Sequence, residues 1–255
     1  MSTALLRTEH VAKSFGGVQA LTDATLEVAE GSITGLIGPN GSGKTTLFNV
    51  MTGYERLDSG QVYSRDAKIT NASPQKVFGL GIGRTFQLSR IFPRLTVMEN
   101  MLVAGQHRRG VRNPLARAGG PADRRHAMEL LEFTGIAGHA NALAETLSYG
   151  QRKLLELAYV LVTDPDLVLL DEPAGGVNPS LINHIAARIK DLNREGKTFL
   201  IVEHNMDFVM GLCDRVTVLD YGEVIATGPP QVIRDDARVL DAYLGTAEED
   251  EDVPS

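Results

Sequence analysis

The sequence is poor in the residue that builds disulfides and thiolate metal sites, because Cys213 is its only cysteine. A single cysteine excludes a disulfide framework and a metal site built on several thiolates, and it fits a reducing compartment. No run of 18 apolar residues occurs, so we expect no membrane-spanning segment. The first residues also lack the charged, apolar and small segments of a signal peptide, so we expect a cytosolic chain.

The charge balance gives no sign of a nucleic-acid binder. The formal net charge of the 255 residues is −7, but five acids stand together near the end of the chain, at residues 248–252. Without them the chain carries about −2, so it has no global basic field. We predict a disordered acidic tail over residues 246–255 and one α/β domain over residues 1–245.

Residues 38–46 carry the strongest local signal in the chain. They fit the pattern G-x-x-x-x-G-K-[ST], after an apolar run that predicts a buried strand and before a stretch that predicts a helix. Glycines in such a loop let successive backbone N–H groups point at phosphate oxygens, and the helix N-terminus adds partial positive charge. The predicted nucleotide-binding residues are Gly38, Pro39, Asn40, Gly41, Ser42, Gly43, Lys44, Thr45 and Thr46.

Charge-handling residues are predicted in this loop and at the end of a later strand. Lys44 is expected to bridge the β- and γ-phosphates, and the Thr45 hydroxyl to ligand Mg²⁺. The apolar run at residues 167–170 is typical of a parallel strand buried on both faces, and it ends in two carboxylates. Asp171 suits Mg²⁺, through water, and Glu172 suits a general base that polarises the attacking water.

Three further residues give weaker signals. Phe15 could stack on an adenine ring, or it could be an ordinary core or turn phenylalanine. Gln87 ends a predicted strand and could touch Mg²⁺ or the attacking water. His204 ends another buried run and could hydrogen-bond a γ-phosphate or position Glu172, although a lone histidine at a strand end is more often structural.

Helix starts are also predicted at Ser73-Pro74 and at Thr96, and helical stretches over residues 127–133 and 230–244. Ser148 is predicted to cap a later helix, with Gly150 and Gln151 in its first turn. Such a capped helix start is a second anion-binding end. Residues 88–160 are interpreted as an inserted helical subdomain, and residues 5–30 as an antiparallel strand pair that turns near Phe15.

The basic cluster of the chain lies at residues 107–126, with six arginines and one acid. We favour a solvated loop for this segment. Contact with anionic lipid headgroups is the alternative interpretation.

In this order, the motifs resemble those of ABC-type ATPase domains. The specific part is Leu147-Ser148-Tyr149-Gly150-Gln151, which other P-loop classes lack. The resemblance implies an α/β P-loop NTPase fold with a parallel, RecA-like core sheet, an N-terminal antiparallel β subdomain and an inserted α-helical subdomain. It also implies ATP and Mg²⁺ as cofactors, and a head-to-tail pair with an identical or paralogous ATPase.

The same resemblance assigns roles to single residues. Ser148, Gly150 and Gln151 bind the γ-phosphate that the partner's loop holds. Phe15 takes the adenine-stacking position and Gln87 the Q-loop, where it reaches the metal. Glu172 is the catalytic base, His204 the switch histidine, and Lys44 assists catalysis at the phosphates.

A finer resemblance, to the ATPase subunits of branched-chain amino-acid importers, rests on residues 84–100, 176–179, 203–206, 209–215 and 242–245. It implies an ATP hydrolase at the cytoplasmic face of the inner membrane, bound to transmembrane permease subunits and served indirectly by a solute-binding protein, with no nucleic-acid partner. Urea, short amides or other amino acids are alternative cargoes. The ATPase of a lipopolysaccharide exporter is an alternative function.

Two positions depart from the general ABC pattern. Tyr149 replaces a glycine of the signature, and Asn178 stands where many ABC proteins have aspartate; both suit the importer branch. A GTPase is disfavoured because no Asn-Lys-x-Asp sequence occurs. DNA-repair ATPases need long coiled-coil insertions, and translation ATPases usually carry two such domains, so neither class fits.

Overall fold

The computed structural model describes residues 3–85, 91–106 and 119–249. The prediction for Gln87 lies outside the described residues. So do residues 107–118 of the basic cluster and the end of the acidic tail from residue 250.

The described strands follow the chain in this order: β1 (Ala4–Phe15), β2 (Val18–Ala29), β3 (Ile33–Ile37), β4 (Ser59–Ser64), β5 (Ala67–Lys68), β6 (Ile82–Arg84), β7 (Leu167–Asp171), β8 (Thr198–Val202), β9 (Arg215–Asp220) and β10 (Glu223–Gly228). The described α-helices are α1 (Lys44–Met51), α2 (Pro74–Gly79), α3 (Val97–Gly105), α4 (Pro121–Thr134), α5 (Tyr149–Leu161), α6 (Pro179–Arg194), α7 (Met206–Leu212), α8 (Pro230–Arg234) and α9 (Ala237–Glu249). Within the described ranges, none of these helices has the length and apolar character needed to cross a membrane.

The chain divides into two compact units, one comprising Met1–Leu80 with Thr198–Ser255 and the other Gly81–Lys197. In the first unit the strands lie side by side in the order β5-β4-β1-β2-β10-β9-β3-β8. β1 pairs antiparallel with β2 and with β4, so the predicted N-terminal antiparallel strands are confirmed. β3 pairs in parallel with β8 and with β9.

The parallel strands β3 and β8 form the buried centre of the first unit. Every residue of both strands is buried, as expected for apolar runs covered on both faces. Their register pairs Leu36 with Val202. Since the carboxyl ends of parallel strands meet at one edge of a sheet, the segments that follow β3 and β8 leave from the same edge.

The second unit holds a parallel pair, β6 with β7, together with α3, α4, α5 and α6. The predicted helical insertion at about residues 88–160 falls within this second unit, which also includes β6, β7 and α6. The prediction of a single domain over residues 1–245 stays a prediction. The α/β class is confirmed.

Helix starts were the best predicted local features. Ser73, Thr96 and Ser148 each accept a hydrogen bond from a backbone N–H in the first turn of α2, α3 and α5. The start of α4 was predicted too late, at residue 127. The helix begins at Pro121 because proline suits the first helical position and the Asp123 carboxylate accepts the N–H groups of residues 119 and 120.

The C-terminal helix also runs further than predicted. Helical structure was expected over residues 230–244, with an unstructured tail from residue 246. The structure breaks this stretch into α8 and α9, and α9 continues to Glu249. Alanine and glutamate at residues 247–249 are good helix formers, so the helix persists into the acidic segment.

Cys213 packs against the central strand of the first unit. Its side chain is buried, and a β-carbon added to Gly35 of β3 would lie 3.1 Å from its Sγ atom. Burial, with Asp214 and Glu203 nearby, raises the pKa of the thiol to about 12. A thiol in such a site is protonated at neutral pH and reacts slowly.

The folded chain should therefore resist thiol alkylation. At pH 8 we expect native Cys213 to react roughly 100-fold or more slowly with iodoacetamide than in denaturant, since both burial and a raised pKa suppress the thiolate. Mass spectrometry of labelling against time measures this rate. Equal rates in the native and denatured chain would contradict the buried position of this cysteine.

Candidate functional site

Residues 38–43 of the predicted phosphate-binding stretch 38–46 form the loop that connects β3 to α1, in a shape that only glycine permits at both ends. A β-carbon on Gly38 would lie 2.0 Å from the carbonyl oxygen of Leu219. On Gly43, at φ +101°, it would lie 2.4 Å from the carbonyl oxygen of Ala20. The glycines of the pattern are therefore required by close backbone packing as well as by the left-handed turn.

Lys44 begins α1 and turns back over the loop. Its Nζ atom donates hydrogen bonds to the carbonyl oxygens of Gly38 at 2.8 Å and Pro39 at 2.7 Å. The ammonium group is thus held at the loop predicted to receive phosphates. Thr45, next in the same turn, is exposed, and Thr46 is half-buried.

A turn far along the chain supports the loop. Sequence reasoning missed this contact. The N–H of Gly222, between β9 and β10, donates to the carbonyl of Ser42 at 2.9 Å. The carbonyl of Gly222 accepts the N–H of Thr22 in β2 at 2.9 Å. The β9–β10 turn therefore bridges β2 and the phosphate loop.

Phe15 ends β1 with 44% of its surface exposed, so it is not a core residue. The Nζ atom of Lys13 lies 4.9 Å from the centre of its ring, a cation–π distance. An exposed ring of this kind is available for stacking. Its role against adenine stays a prediction.

His204 lies just after β8. Because β8 is parallel to β3, His204 and the phosphate loop start from the same edge of the sheet. The preceding Glu203 is fully buried, and its carboxylate accepts the N–H groups of His204 at 3.0 Å and Asn205 at 3.1 Å. The His204 side chain itself is 62% exposed. Glu203 thus fixes the backbone that presents the histidine, a role that the sequence did not reveal.

In the second unit, Asp171 ends β7 in a buried position. Its Oδ2 atom lies 3.5 Å from Nη2 of Arg84, which ends β6. The backbone N–H of Asp171 donates to the Thr85 hydroxyl at 3.1 Å. Burial raises the pKa of Asp171, while the Arg84 guanidinium opposes that shift. Arg84 is a second residue whose contribution sequence reasoning missed.

Glu172 has a backbone conformation that non-glycine residues rarely adopt, with φ +47°. Its carbonyl oxygen accepts two hydrogen bonds, from the N–H of Gly175 at 3.1 Å and from Nζ of Lys153 at 3.1 Å. Such strain clusters at functional sites and persists only where the surroundings hold it.

The N-terminus of α5 carries the predicted second anion site. Ser148 and Gln151 form a capping box: the Gln151 N–H donates to the Ser148 hydroxyl at 3.3 Å, and the Ser148 N–H donates to Gln151 Oε1 at 2.9 Å. A β-carbon on Gly150 would lie 2.4 Å from Leu181 of α6. Ser148 and Tyr149 are exposed, so the helix start is accessible from outside this unit.

His139 contacts the same helix start. Its Nε2 atom lies 2.8 Å from Nε2 of Gln151, so a neutral imidazole can accept the amide proton of that glutamine. The Gln151 side chain is therefore engaged at both its oxygen and its nitrogen.

The oxygen donors suit magnesium. Mg²⁺ is held in nucleotide sites by one or two protein oxygens together with phosphates and water. Thr45 and Asp171 each offer one oxygen donor of that kind. Among the described residues, no cluster of three or more His, Cys, Asp or Glu residues forms an all-protein metal cage.

Family models match two parts of the chain. The family described as ABC transporter matches residues 21–175, and the family described as branched-chain amino acid ATP-binding cassette transporter matches residues 223–249.

Named relatives match almost the full length. The chain is 40% identical to the high-affinity branched-chain amino acid transport ATP-binding protein LivG of Salmonella typhimurium, over 97% of this chain and 100% of LivG. It is 39% identical to a probable LivG of Archaeoglobus fulgidus, over 94% and 95% of the two chains. It is 38% identical to BraF of Pseudomonas aeruginosa, also a high-affinity branched-chain amino acid transport ATP-binding protein, over 97% and 100%.

Solved structures share the fold. The ADP conformation of an ATP-binding cassette of an ABC transporter gives a TM-score of 0.82 at 34% identity, covering 96% of this chain and 99% of that one. A dimeric cassette in a post-hydrolysis state with ADP and Pi bound gives 0.78 at 26% identity, covering 88% and 98%.

Close packing of the phosphate loop predicts unequal effects for two alanine substitutions. Gly43→Ala should weaken binding of a fluorescent ATP analogue about tenfold or more, because its β-carbon forces the backbone away from Ala20. Gly196→Ala, outside the loop, is the control: it has a similar left-handed φ of +95°, but no atom lies within 4 Å of the added carbon. Equal losses in both variants would contradict the packing argument.

Proposed function

This chain belongs to the ATP-binding subunits of ABC transporters, and we propose that its ATP hydrolysis powers the uptake of branched-chain amino acids or closely related small polar solutes. The chain is an ATP hydrolase that binds nucleotide. The observation that carries the cargo proposal is the similarity to LivG and BraF over nearly the whole chain, including the C-terminal stretch 223–249.

The phosphates are proposed to bind at residues 38–46. The backbone N–H groups of the loop and the first turn of α1 surround phosphate oxygens, and the Lys44 ammonium exchanges its contacts with the Gly38 and Pro39 carbonyls for the β- and γ-phosphates. Phe15 stacks on the adenine ring. Stacking gives affinity with little selectivity for the base.

Glu172 is proposed as the general base. Its carboxylate polarises the water that attacks the γ-phosphorus, and His204 hydrogen-bonds the γ-phosphate. Thr45 and Asp171, the latter through water, would hold Mg²⁺, and Gln87 is proposed to reach it as well. When bound, Mg²⁺ neutralises charge on the phosphate oxygens.

Half of the arrangement is proposed to come from a second ATPase subunit, identical or paralogous, in a head-to-tail pair. Ser148, Gly150 and Gln151 of one chain face the γ-phosphate held by the other chain. The exposed and capped start of α5 supports this proposal, since a helix N-terminus favours an anion. The similar dimeric cassette with ADP and Pi also supports it.

Transmembrane permease subunits are the proposed direct partners, with a solute-binding protein acting indirectly and the chain peripheral at the cytoplasmic face of the membrane. Gln87 and residues 88–100 are proposed to pass nucleotide-dependent motion to a permease helix.

Asn178, one of the two departures from the general pattern, accepts the N–H of Leu181 at 2.9 Å and caps α6, so it serves the fold as aspartate would.

Removal of the proposed base separates binding from turnover. Glu172→Gln should keep ATP affinity within about twofold and lower kcat by about 10²- to 10⁴-fold, because the amide cannot accept the proton of water. Steady-state phosphate release and titration with a fluorescent ATP analogue measure the two effects.

The matched control is Glu195→Gln, an exposed glutamate after α6, which should hydrolyse ATP as the wild type does. Wild-type turnover in Glu172→Gln would remove Glu172 from the role of base.

The cargo is tested in the assembled transporter. The permease that co-purifies with this chain is reconstituted in vesicles, and ATP hydrolysis is measured with binding proteins loaded with different solutes. Leucine, isoleucine or valine should stimulate turnover most. Stimulation by urea, by an amide or by another amino acid would change the cargo within the importer class, whereas stimulation by lipopolysaccharide would identify an exporter.

A further inference from the structure

Lys153 of α5 is a buried lysine with an unusual set of neighbours. Only 9% of its side chain is exposed. Its Nζ atom donates to the carbonyl oxygen of Glu172 at 3.1 Å and lies 4.0 Å from Oε2 of Glu156. The ring centre of Tyr149 is 5.8 Å away, within the range of a cation–π contact. A buried ammonium needs such partners, because desolvation of an unpaired charge is costly.

The carbonyl that Lys153 contacts belongs to Glu172, a candidate-site residue with an uncommon backbone conformation. Glu172 has φ +47° and is followed by a proline, which further restricts its backbone. One hydrogen bond to its carbonyl comes from Gly175, three residues on. The other comes from Lys153, which fixes the same peptide group from a different element.

A second contact joins this loop to α5. A β-carbon on Gly176 would lie 3.1 Å from Cε1 of Tyr149, so the loop after Glu172 rests closely on the first turn of the helix. The segment 172–176 is therefore attached to α5 at two points. One is the Tyr149 ring and the other is the Lys153 ammonium.

We propose that Lys153 is a positioning residue for ATP hydrolysis: its ammonium holds the main chain of Glu172 so that the carboxylate is directed at the attacking water. The proposal rests on the proposed role of Glu172 as general base. Because Lys153 stands on the helix that begins with residues 148–151, the placement of Glu172 follows the placement of that helix. In this role Lys153 acts through Glu172 and is not itself a catalytic residue.

Three variants of the full-length chain test this role. Lys153→Met keeps the buried aliphatic stem and removes the charge and the donor. Lys153→Arg keeps both. Lys76→Met is the control, since Lys76 is an exposed lysine of α2 in the other unit.

We expect Lys153→Met to lower kcat roughly tenfold or more, because it loses the charge-assisted hydrogen bond that holds the backbone of the proposed base, with ATP-analogue affinity unchanged. Lys153→Arg should stay within about threefold of the wild type, because guanidinium can donate to the same carbonyl. In Lys153→Met, hydrogen exchange of the peptide that contains Gly175 should be faster, since its N–H shares the carbonyl of Glu172. Lys76→Met should match the wild type in all three measurements.

Wild-type exchange at Gly175 in Lys153→Met would overturn the proposal, whether or not ATP is hydrolysed. So would parallel losses of melting temperature and nucleotide affinity, which would indicate a general packing role. If the wild-type chain in its transporter hydrolysed no ATP while the exchange effect was present, the proposed function would fail and the contact between Lys153 and the loop would stand.

Discussion

The absence of two β-carbons shapes the phosphate loop. Gly38 and Gly43 each bring the main chain so close to another carbonyl that a side chain at either place would overlap it. The carbonyls belong to Leu219 and Ala20, in β9 and β2. Since Gly222 also binds the carbonyl of Ser42, the first unit sets the shape of the loop through contacts of its own main chain. A loop held in this way needs little reorganisation to receive phosphates, which is consistent with its proposed role.

In the second unit, contacts with neighbouring residues stabilise the two candidate carboxylates, Asp171 and Glu172. Burial of a carboxyl group at the end of a strand raises its pKa and so disfavours the charged form, which is the better ligand for a cation. Arg84 opposes this effect on Asp171 by supplying a positive charge within the same unit. Glu172 needs support of another kind. Its backbone is strained, and hydrogen bonds from Lys153 and Gly175 hold its carbonyl.

Local chemistry explains what the sequence predicted correctly. The strand, loop and helix over residues 33–51, the other buried strands and the caps at Ser73, Thr96 and Ser148 depend on residues within a few positions of each other, where spacing alone carries the signal. The late start assigned to α4 has a local origin as well. Pro121 and Asp123 were seen as parts of a loop, although proline suits the first helical position and Asp123 accepts the N–H groups of the two residues before the helix.

Contacts between distant segments explain what the sequence did not reveal. Arg84 and Asp171 are 87 positions apart, and their pairing follows from the parallel register of β6 and β7. In the sequence, Lys153 looks like an ordinary lysine of a helix. Only the fold brings it to the carbonyl of Glu172. The buried Glu203 stood beside a predicted site residue, yet nothing in the local pattern distinguishes a carboxylate that orders a backbone from one that faces solvent.

At the start of α5, the structure distinguishes the roles of Ser148, Gly150 and Gln151, which the sequence motif does not separate. The Gln151 amide is engaged by Ser148 through its oxygen and by His139 through its nitrogen, so this side chain shapes the turn. The Ser148 hydroxyl accepts one hydrogen bond within the cap and retains its own proton, which it can donate to a phosphate oxygen. Gly150 brings the backbone against Leu181, whose Cδ2 atom would have to move to admit a β-carbon. Within the proposed half-site, we therefore propose the serine hydroxyl and the main-chain N–H groups as the donors for phosphate, with Gln151 holding them in place.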